Sequence, residues 1–330
     1  MSLCSPVDAR STPPGPERFR RCRFLTGPTA SGKTAVAIEL ARLWGAEIVT
    51  MDSMTLYRGM DIGTAKPTPE ERATVPHHLL DLLDPWEGAS VAFFLEQAAR
   101  VVDVLERRGV PILVTGGTPL YLKAMLRGLF DGPAADPELR HSLERLNDAE
   151  LHTRLHALDP ATAQRLPPRD RRRVIRALEI ALLTGQPPSV LRQDHDQPAR
   201  GVAVIALSRP RDELHRRINQ RVDAMVRGGL LDETARLLAL PHPWHPIPAQ
   251  AAGYREAADH LQGRLDRAAM IERAQARTRQ LAKRQETWFR HLAEVHLEPV
   301  MANESPATLA QRLARRFEDL EHHRRQVNFP

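Results

Sequence analysis

Residues 27–34, Gly-Pro-Thr-Ala-Ser-Gly-Lys-Thr, have the composition and spacing of a phosphate-binding loop. Gly27 and Gly32 allow tight turns that aim several backbone N–H groups at one diphosphate, and a helix N-terminus behind them adds partial positive charge. Lys33 would place an ammonium on phosphate oxygens, and Thr34 would offer its hydroxyl to Mg²⁺. ATP is the usual guest of such a loop, but any diphosphate ester with Mg²⁺ would satisfy the same donors.

Two further polar segments follow short apolar runs. Asp52 and Ser53 follow the run Glu47–Thr50 after a single residue, and an acid there could bind Mg²⁺ or take a proton from a nucleophile. Thr118 ends the run that begins at Pro111, at a place where many P-loop ATPases carry an acidic metal ligand. This difference counts modestly against an ordinary ATPase.

Strand and helix patterns alternate through the first 130 residues, which predicts an α/β fold with a parallel sheet covered on both faces. The predicted strands are Cys22–Thr26, Glu47–Thr50, Leu79–Leu83, Pro111–Thr115 and Val202–Leu207, and the predicted helices are Val91–Arg108, Pro119–Leu126, Arg211–Leu240 and Asp266–Leu292. In such sheets ligands bind at the carboxyl ends of the strands. The loop, Asp52 and Thr118 are therefore expected to meet in one crevice.

The domain prediction has three parts. Residues 1–21, rich in Pro, Ser and Arg, are expected to be a disordered leader. Residues 22–135 and 201–330 would form the P-loop catalytic core. Residues 136–200 have helical patterns and strongly basic character, and they would form a helical insertion.

Basic residues cluster in this insertion and again near the C-terminus. Arginines crowd the segment from Arg165 to Arg176, and Arg273, Arg277 and Arg284 share one face of a helix whose other face, including Trp288, is expected to be core. A charged face of a helix is often merely solvated. Several such segments in one chain favour contacts with RNA phosphates.

Composition is compatible with an RNA partner, and it excludes disulfide-stabilised and membrane-spanning proteins. The 330-residue chain has a net charge of +6, and its isoelectric point is about 9.9. Two cysteines leave no disulfide framework, which fits a reducing cytoplasm. No apolar run approaches the length of a membrane span.

The motifs together resemble the tRNA dimethylallyltransferase (tRNA isopentenyltransferase) family, in its bacterial type. The resemblance covers residues 23–300 and is most specific in Asp-Ile-Gly-Thr-Ala-Lys-Pro at 61–67 and Lys-Arg-Gln-Glu-Thr-Trp at 283–288. It is also seen in Asp-Ser-Met-Thr-Leu-Tyr at 52–57, Gly-Gly-Thr-Pro-Leu-Tyr at 116–121, Arg-Val-Ile-Arg-Ala-Leu-Glu at 173–179 and Ala-Gly-Tyr-Arg-Glu at 252–256. Many members carry Gln at the position of Thr55, so this chain departs from the family at that base contact.

The resemblance implies a P-loop core whose helical insertion grips the anticodon stem of tRNA. It implies Mg²⁺-dependent transfer of a dimethylallyl group from dimethylallyl diphosphate to N6 of the adenosine just 3′ of the anticodon, with release of diphosphate. It further implies a cytoplasmic monomer with no membrane or obligate protein partner.

Matching positions assign residues to these roles. Asp52 corresponds to the general base, with Thr118 beside the substrate and Arg221 on the diphosphate. The diphosphate loop comprises Gly27, Pro28, Thr29, Ala30, Ser31, Gly32, Lys33 and Thr34, and Thr34 is also the Mg²⁺ ligand. The tRNA contacts comprise Asp52, Ser53, Met54, Thr55, Arg172, Arg173, Arg176, Gly253, Tyr254, Arg255, Lys283, Arg284, Gln285, Trp288 and Arg290.

Two other functions use the same loop. A nucleoside or small-molecule kinase would turn over ATP, and its mobile lid could be mistaken for the helical insertion. An RNA-binding module with a vestigial loop would bind RNA and show neither activity.

Overall fold

The computed structural model describes residues 13–130, 132–133, 135–191, 197–199 and 201–327 of the chain. They divide into two compact units. One unit runs from Arg127 to Gln197, and the other combines Pro14–Leu126 with the chain from Pro198 onward. The larger unit holds the sheet, and the smaller unit consists of helices.

Strands of the larger unit form one parallel sheet, as the alternating pattern predicts. They are Arg23–Thr26 (β1), Glu47–Thr50 (β2), His77–His78 (β3), Ile112–Gly116 (β4), Ala203–Ser208 (β5) and Val295–Pro299 (β6). Their order is β3-β2-β4-β1-β5-β6, so β1 lies between β4 and β5. The central strands are apolar and fully buried because helices cover both faces of the sheet.

Helices of the larger unit are Lys33–Trp44 (α1), Pro69–Thr74 (α2), Val91–Arg107 (α3) and Pro119–Arg127 (α4), the last of which ends at the unit boundary. Those of the smaller unit are Pro137–Glu144 (α5), Asp148–Leu158 (α6), Pro160–Arg165 (α7), Arg171–Thr184 (α8) and Pro188–Leu191 (α9). The larger unit resumes with Arg211–Arg227 (α10), Leu230–Leu238 (α11), Tyr254–Leu261 (α12), Arg267–His291 (α13) and Pro306–Val327 (α14).

Side-chain caps fix two helix starts. The Ser90 hydroxyl accepts a hydrogen bond from the Phe93 N–H at the start of α3, and Asp266 accepts one from the Ala269 N–H at the start of α13. The single helix predicted over 211–240 is two helices, because the chain turns at Gly228 and Gly229, and Gly229 has a φ of 101°.

Two other predictions about the larger unit are wrong. Leu79–Leu83 is not a strand, since Leu79 and Asp81 have φ of 63° and 57°, which are incompatible with extended backbone. The predicted leader was drawn too long, because residues 16–19 form a 3₁₀-helix with Phe19 fully buried. Residues 1–12 of that leader lie outside the described residues.

The helical unit has a core and ion-pair network of its own. Its core comprises Leu143, Leu151, Leu155, Ala163, Val174, Ile175, Ala177 and Leu178. Glu179 is also fully buried, and its carboxylate accepts hydrogen bonds from Arg140, Arg176 and the Asp136 N–H. The charge on this carboxylate is therefore compensated within the unit.

The carboxyl ends of β1, β2 and β4 lie side by side in the parallel sheet, as the register of Thr26 with Gly116 and of Thr50 with Thr115 shows. The segments that follow these strands form the candidate site. No helix in the part of the chain that the structure describes has both the length and the apolarity needed to cross a bilayer.

Candidate active site

The phosphate-binding loop connects β1 to α1. Gly27 and Gly32 have φ of 146° and 97°, and a Cβ on Gly27 would come within 2.9 Å of the Leu207 carbonyl oxygen. Both positions therefore require glycine. α1 begins at Lys33, which directs its N-terminal amides toward the loop.

Two arginines that the sequence reasoning missed hold the outside of this loop. Arg209 Nε donates to the Ser31 carbonyl oxygen, and Arg217 Nε donates to that of Ala30, both at 2.8 Å. Loop carbonyls are thereby occupied by guanidinium groups. The only signal in the sequence was the position of Arg209 two residues after the end of a predicted strand.

Lys33 and Arg221 are the cations of the site. Burial, helped by the nearby charge of Arg221 and opposed by that of Asp52, lowers the pKa of Lys33 to about 8. Burial also lowers the pKa of Arg221, again opposed by Asp52, with Arg217 adding to the decrease. Both cations are therefore held partly desolvated, at a cost that a bound anion would offset.

Asp52 lies just beyond the end of β2. Its Oδ1 accepts a hydrogen bond of 2.9 Å from the Met54 N–H, and its backbone carbonyl accepts one from the Thr55 hydroxyl. Among the described residues, no donor reaches Oδ2 of Asp52. One carboxylate oxygen is thus available to a proton on a substrate.

Thr118 ties the Asp52 segment to the end of β4. Its hydroxyl oxygen accepts a hydrogen bond of 3.0 Å from the Ser53 N–H, and its own N–H donates to the Met51 carbonyl. A Cβ at Gly116 would lie only 1.9 Å from that Met51 oxygen, so glycine permits the two segments to touch. The structure gives Thr118 a role in positioning Asp52.

These segments surround a cavity of about 150 Å³. Its lining brings together Thr29, Lys33, Thr34, Asp52, Met54, Thr55, Arg221, Gly253 and Gln285 from the predicted site residues. It also includes Thr50 and Thr115, whose buried hydroxyls have no hydrogen-bond partner among the described residues. The predicted catalytic base and the predicted diphosphate ligands therefore share one space.

A second network of hydrogen bonds, which the sequence did not reveal, holds the loop that forms one wall of this cavity. The buried Glu233 carboxylate accepts hydrogen bonds from the N–H groups of Asp61, Ile62 and Gly63 and from the Tyr254 hydroxyl. That hydroxyl in turn accepts a hydrogen bond from the Gly63 N–H at 3.1 Å. The burial of Tyr254 and its proximity to Glu233 raise the pKa of the phenol.

Tyr254, another predicted tRNA contact, is fully buried, and its side chain faces the interior of the protein. Gln285, another predicted tRNA contact, is only 6% exposed. Its amide oxygen accepts a hydrogen bond from the Thr29 N–H, and its amide nitrogen donates to the Gly117 carbonyl. Both side chains therefore form their hydrogen bonds within the protein.

Other predicted contacts lie at the surface of the larger unit. Lys283, Arg284 and Arg290 of α13 are exposed, as is Arg255 of α12. Trp288 is 43% exposed, which corrects the expectation that it belongs to the core. An exposed tryptophan among cations on one helix is a feature of surfaces that bind nucleic acid.

In the helical unit the predicted arginines differ from one another. Arg172 is exposed and has no ion-pair partner in the described part of the chain. Arg173 is exposed but paired with Asp170. Arg176 bonds to Glu179 and to the Pro133 carbonyl, so much of its hydrogen-bonding capacity serves the fold.

Comparisons with known proteins find similar sequences over most of the chain. A family model described as IPP transferase matches residues 55–292, and one described as isopentenyl transferase matches residues 20–81. The chain is 47% identical over 301 residues to a tRNA dimethylallyltransferase of Bordetella petrii, covering 88% of this chain and 96% of that one. It is 48% identical over 305 residues to one of Anaeromyxobacter dehalogenans, covering 90% and 100%.

Solved structures of similar fold also cover most of the chain. A tRNA isopentenylpyrophosphate transferase from Bacillus halodurans has a TM-score of 0.67 and 37% identity, covering 92% of this chain and 98% of that one. A eukaryotic dimethylallyltransferase acting on tRNA has a TM-score of 0.79 and 26% identity, covering 92% and 80%.

Proposed function

The chain belongs to the tRNA dimethylallyltransferase family, and we propose that the cavity around Asp52, Lys33 and Arg221 is its catalytic site. The enzyme transfers a dimethylallyl group from dimethylallyl diphosphate to N6 of the tRNA adenosine 3′-adjacent to the anticodon. Membership of this family excludes the two alternative functions, a kinase and an RNA-binding module with a vestigial loop. The convergence of an available carboxylate oxygen with two desolvated cations in one cavity carries the proposal.

Asp52 is the general base. The lone pair of N6 is delocalised into the adenine ring, so the amine becomes nucleophilic only as it loses a proton. The acceptor base has to leave the stack of the anticodon loop to reach the cavity. Oδ2 of Asp52 takes the N6 proton as N6 bonds to the allylic carbon, and the bond between that carbon and the diphosphate oxygen breaks.

The leaving diphosphate takes the electron pair of the broken bond. The amides at the start of α1, the Lys33 ammonium and the Arg221 guanidinium would stabilise its charge. Because both cations are already desolvated and opposed only by Asp52, an anion of two phosphates gains more from them than it would at an exposed site.

The residues present also fit a Mg²⁺ ion. Thr34 offers a hydroxyl at the second residue of α1, and the unpartnered hydroxyls of Thr50 and Thr115 line the same cavity. The hydroxyl that follows the lysine of a phosphate-binding loop is a common Mg²⁺ ligand, and the ion otherwise uses substrate phosphate oxygens and waters. When bound, the ion would neutralise charge on the diphosphate. Thr34 would hold the ion, and the hydroxyls of Thr50 and Thr115 would be available to it or to its waters in the same cavity.

For the RNA substrate we propose two surfaces, each within its own unit. One is the exposed face of α12 and α13 with Arg255, Lys283, Arg284, Trp288 and Arg290, and the other is the start of α8 with Arg172 and Arg173. Phosphate contacts and aromatic stacking on these side chains would orient the anticodon stem-loop.

A single-turnover assay tests the function. The protein, Mg²⁺ and radiolabelled dimethylallyl diphosphate are mixed with an anticodon stem-loop that has A after the anticodon, or with the same RNA carrying G there. Label on the A substrate alone is expected. Tight RNA binding without label on either RNA, together with ATP turnover, would contradict the proposal and favour a kinase.

A further inference from the structure

Two threonine side chains in the cavity have buried hydroxyls that an apolar prenyl group leaves unsatisfied. Thr50 ends β2 and Thr115 lies one residue before the end of β4, and these residues are 7% and 8% exposed. Both line the cavity, and neither hydroxyl has a hydrogen-bond partner among the described residues. Buried polar groups are usually hydrogen-bonded, so two unsatisfied hydroxyls in a substrate cavity point to a polar group on a ligand.

The two hydroxyls lie side by side under α1. Thr50 and Thr115 are partners in the register of the parallel strands β2 and β4, so their side chains are on the same face of the sheet. Ile48 and Leu113, two residues earlier, belong to the hydrophobic cluster that residues of α1 complete. Since side chains alternate along a strand, Thr50 and Thr115 also face α1, where Ala37 lines the same cavity.

A short chain attached to the diphosphate can reach this pair. Ala37 lies one turn beyond Lys33, a distance of about 6 Å along α1. Thr50 lies two residues before Asp52, at most about 7 Å away along the backbone. During transfer the allylic carbon has to lie between the Lys33 ammonium and the Asp52 carboxylate. The rest of a five-carbon chain then extends over Ala37 toward the two hydroxyls.

Mg²⁺ does not require these hydroxyls. Thr34 is the ligand that the phosphate-binding loop offers, and the ion completes its shell with phosphate oxygens and waters. The two methyl groups of a dimethylallyl chain have no atom that can bond to Thr50 or Thr115. A hydroxyl on one of these methyl carbons would accept from one threonine and donate to the other, because a hydroxyl does both.

His77 adds a third polar atom at this end of the cavity. Its side chain lines the cavity, and its Nδ1 donates a 2.8 Å hydrogen bond to the Val75 carbonyl. In the neutral imidazole the other nitrogen, Nε2, is then an acceptor. The end of the cavity that lies beyond the diphosphate therefore combines apolar contacts with two donors and an acceptor.

We propose that this end of the cavity recognises a hydroxylated prenyl group, so that the enzyme also takes an allylic diphosphate with a hydroxyl on a terminal carbon. This inference rests on the proposed function of the site. The chemistry at the allylic carbon is the same: N6 bonds to this carbon, the bond from it to the diphosphate oxygen breaks, and its electron pair leaves with the diphosphate. Asp52 takes the N6 proton. The donor's hydroxyl does not react and is carried into the modified RNA.

A competition between two donors tests this. The protein, Mg²⁺ and an anticodon stem-loop with A after the anticodon are mixed with equal amounts of dimethylallyl diphosphate and (E)-4-hydroxy-3-methylbut-2-enyl diphosphate. Mass spectrometry of the digested RNA distinguishes the products by one oxygen atom, and their ratio is the ratio of the two kcat/KM values. We expect the hydroxylated product to form at least about as fast as the other, because its hydroxyl exchanges water for hydrogen bonds in the cavity.

Variants that change only the hydroxyls test the assignment. Thr115→Val and Thr50→Val keep the shape of the side chain, and each should lower the ratio of hydroxylated to dimethylallyl product about tenfold, since the donor's hydroxyl loses a buried partner. Thr115→Ser retains the hydroxyl and should stay within threefold of the wild-type ratio. Thr153→Val, at an exposed position of α6, makes the same chemical change outside the cavity and should not alter the ratio. A ratio is insensitive to a general loss of activity.

Two results would overturn the inference. One is a wild-type enzyme that uses the hydroxylated donor less than one-tenth as well as dimethylallyl diphosphate. The other is an unchanged ratio in both valine variants, and a raised Mg²⁺ requirement in them would then assign the hydroxyls to the ion. A fall in either valine variant supports a contact with that threonine. Failure of the proposed function looks different, because the wild-type protein would then transfer neither group to the RNA.

Discussion

Glu179 in the helical unit and Asp52 in the larger unit are both carboxylates near arginines, but their surroundings differ. The Glu179 oxygens accept hydrogen bonds from two guanidinium groups and one backbone N–H. Asp52 accepts one side-chain hydrogen bond, from the Met54 N–H, and Arg221 and Lys33 act on it only through their charges.

This difference separates a structural carboxylate from the one that we propose as the catalytic base. A carboxylate with every lone pair satisfied stabilises its unit and has no capacity left for a ligand. A carboxylate with an available oxygen that faces desolvated cations across a cavity lowers the free energy of unfolding locally. The rest of the fold offsets this loss, as is usual at functional sites. Sequence distance from arginines would not have distinguished the two.

The largest expected effect comes from removing the Asp52 charge. Asp52→Asn keeps the shape and the Met54 hydrogen bond, yet it cannot accept the N6 proton, so single-turnover transfer should slow by about 10²- to 10⁴-fold. The loss of rate should greatly exceed any change in thermal stability that follows from removing a charge beside Lys33 and Arg221. Asp319→Asn, at an exposed position, is the control. A rate within threefold of wild type would remove Asp52 from the role of base.

Glu179→Gln should have the opposite effect, lowering stability and leaving the transfer reaction largely intact. It leaves two guanidinium groups and the Asp136 N–H without a carboxylate, so the free energy of unfolding should fall by about 1–3 kcal/mol, whereas transfer at low temperature persists. Glu144→Gln, on the exposed face of α5, should change neither quantity. Loss of activity without loss of stability would contradict the comparison.

The same residue predicts a pH dependence. Burial raises the pKa of Glu179, but the bonds from Arg140, Arg176 and the Asp136 N–H outweigh it and hold the pKa below the ordinary value. The folded-state pKa is depressed, so this stabilisation is present above the unfolded value of about 4.3 and is lost as pH falls through the folded value. Denaturation curves of wild type and Glu179→Gln should therefore converge at acidic pH.

Much of the fold could be predicted because the central strands are short apolar runs with a helix pattern between them. β6 could not, since Val295–Pro299 is an edge strand of mixed polarity without a buried run. The break at Gly229 depends on a left-handed backbone conformation, and the sequence showed only two adjacent glycines.

For the site, Asp52 could be predicted from its place after an apolar run and Arg221 from the resemblance, and the cavity contains both. Arg217, Glu233 and the bridging role of Gln285 escaped prediction because backbone groups that they bond, those of Ala30, Ile62 and Gly117, lie 168 or more residues away along the chain. Such contacts depend on packing that no local pattern encodes. The burial of Tyr254 could not be foreseen for the same reason, since a motif identifies a position without stating which way its side chain points.

A smaller effect should follow from the lowered pKa of Lys33. Below pH 8 the Lys33 ammonium is charged, so the Kd of dimethylallyl thiolodiphosphate, an unreactive analogue of the donor, should be constant. Above pH 8 the free protein loses this charge, and affinity should fall by up to tenfold per pH unit, because the bound anion favours the protonated lysine. The ligand's own phosphate titration lies lower, near pH 6. Lys33→Met should bind weakly with a flat profile, and a flat wild-type profile from pH 8 to 9.5 would contradict this account.

Tyr254→Phe tests whether a satisfied network beside the cavity behaves like Glu179. It removes the donor to Glu233 and the acceptor of the Gly63 N–H, so the free energy of unfolding should fall by about 1–2 kcal/mol. The transfer rate should change less than tenfold, because Glu233 still holds the Asp61 and Ile62 amides. Tyr57→Phe, which loses one 3.3 Å hydrogen bond from the Ala89 N–H, should cost less. Denaturation and single-turnover rates measured together decide the outcome, since an activity loss as large as that of Asp52→Asn would place the phenol in the chemistry.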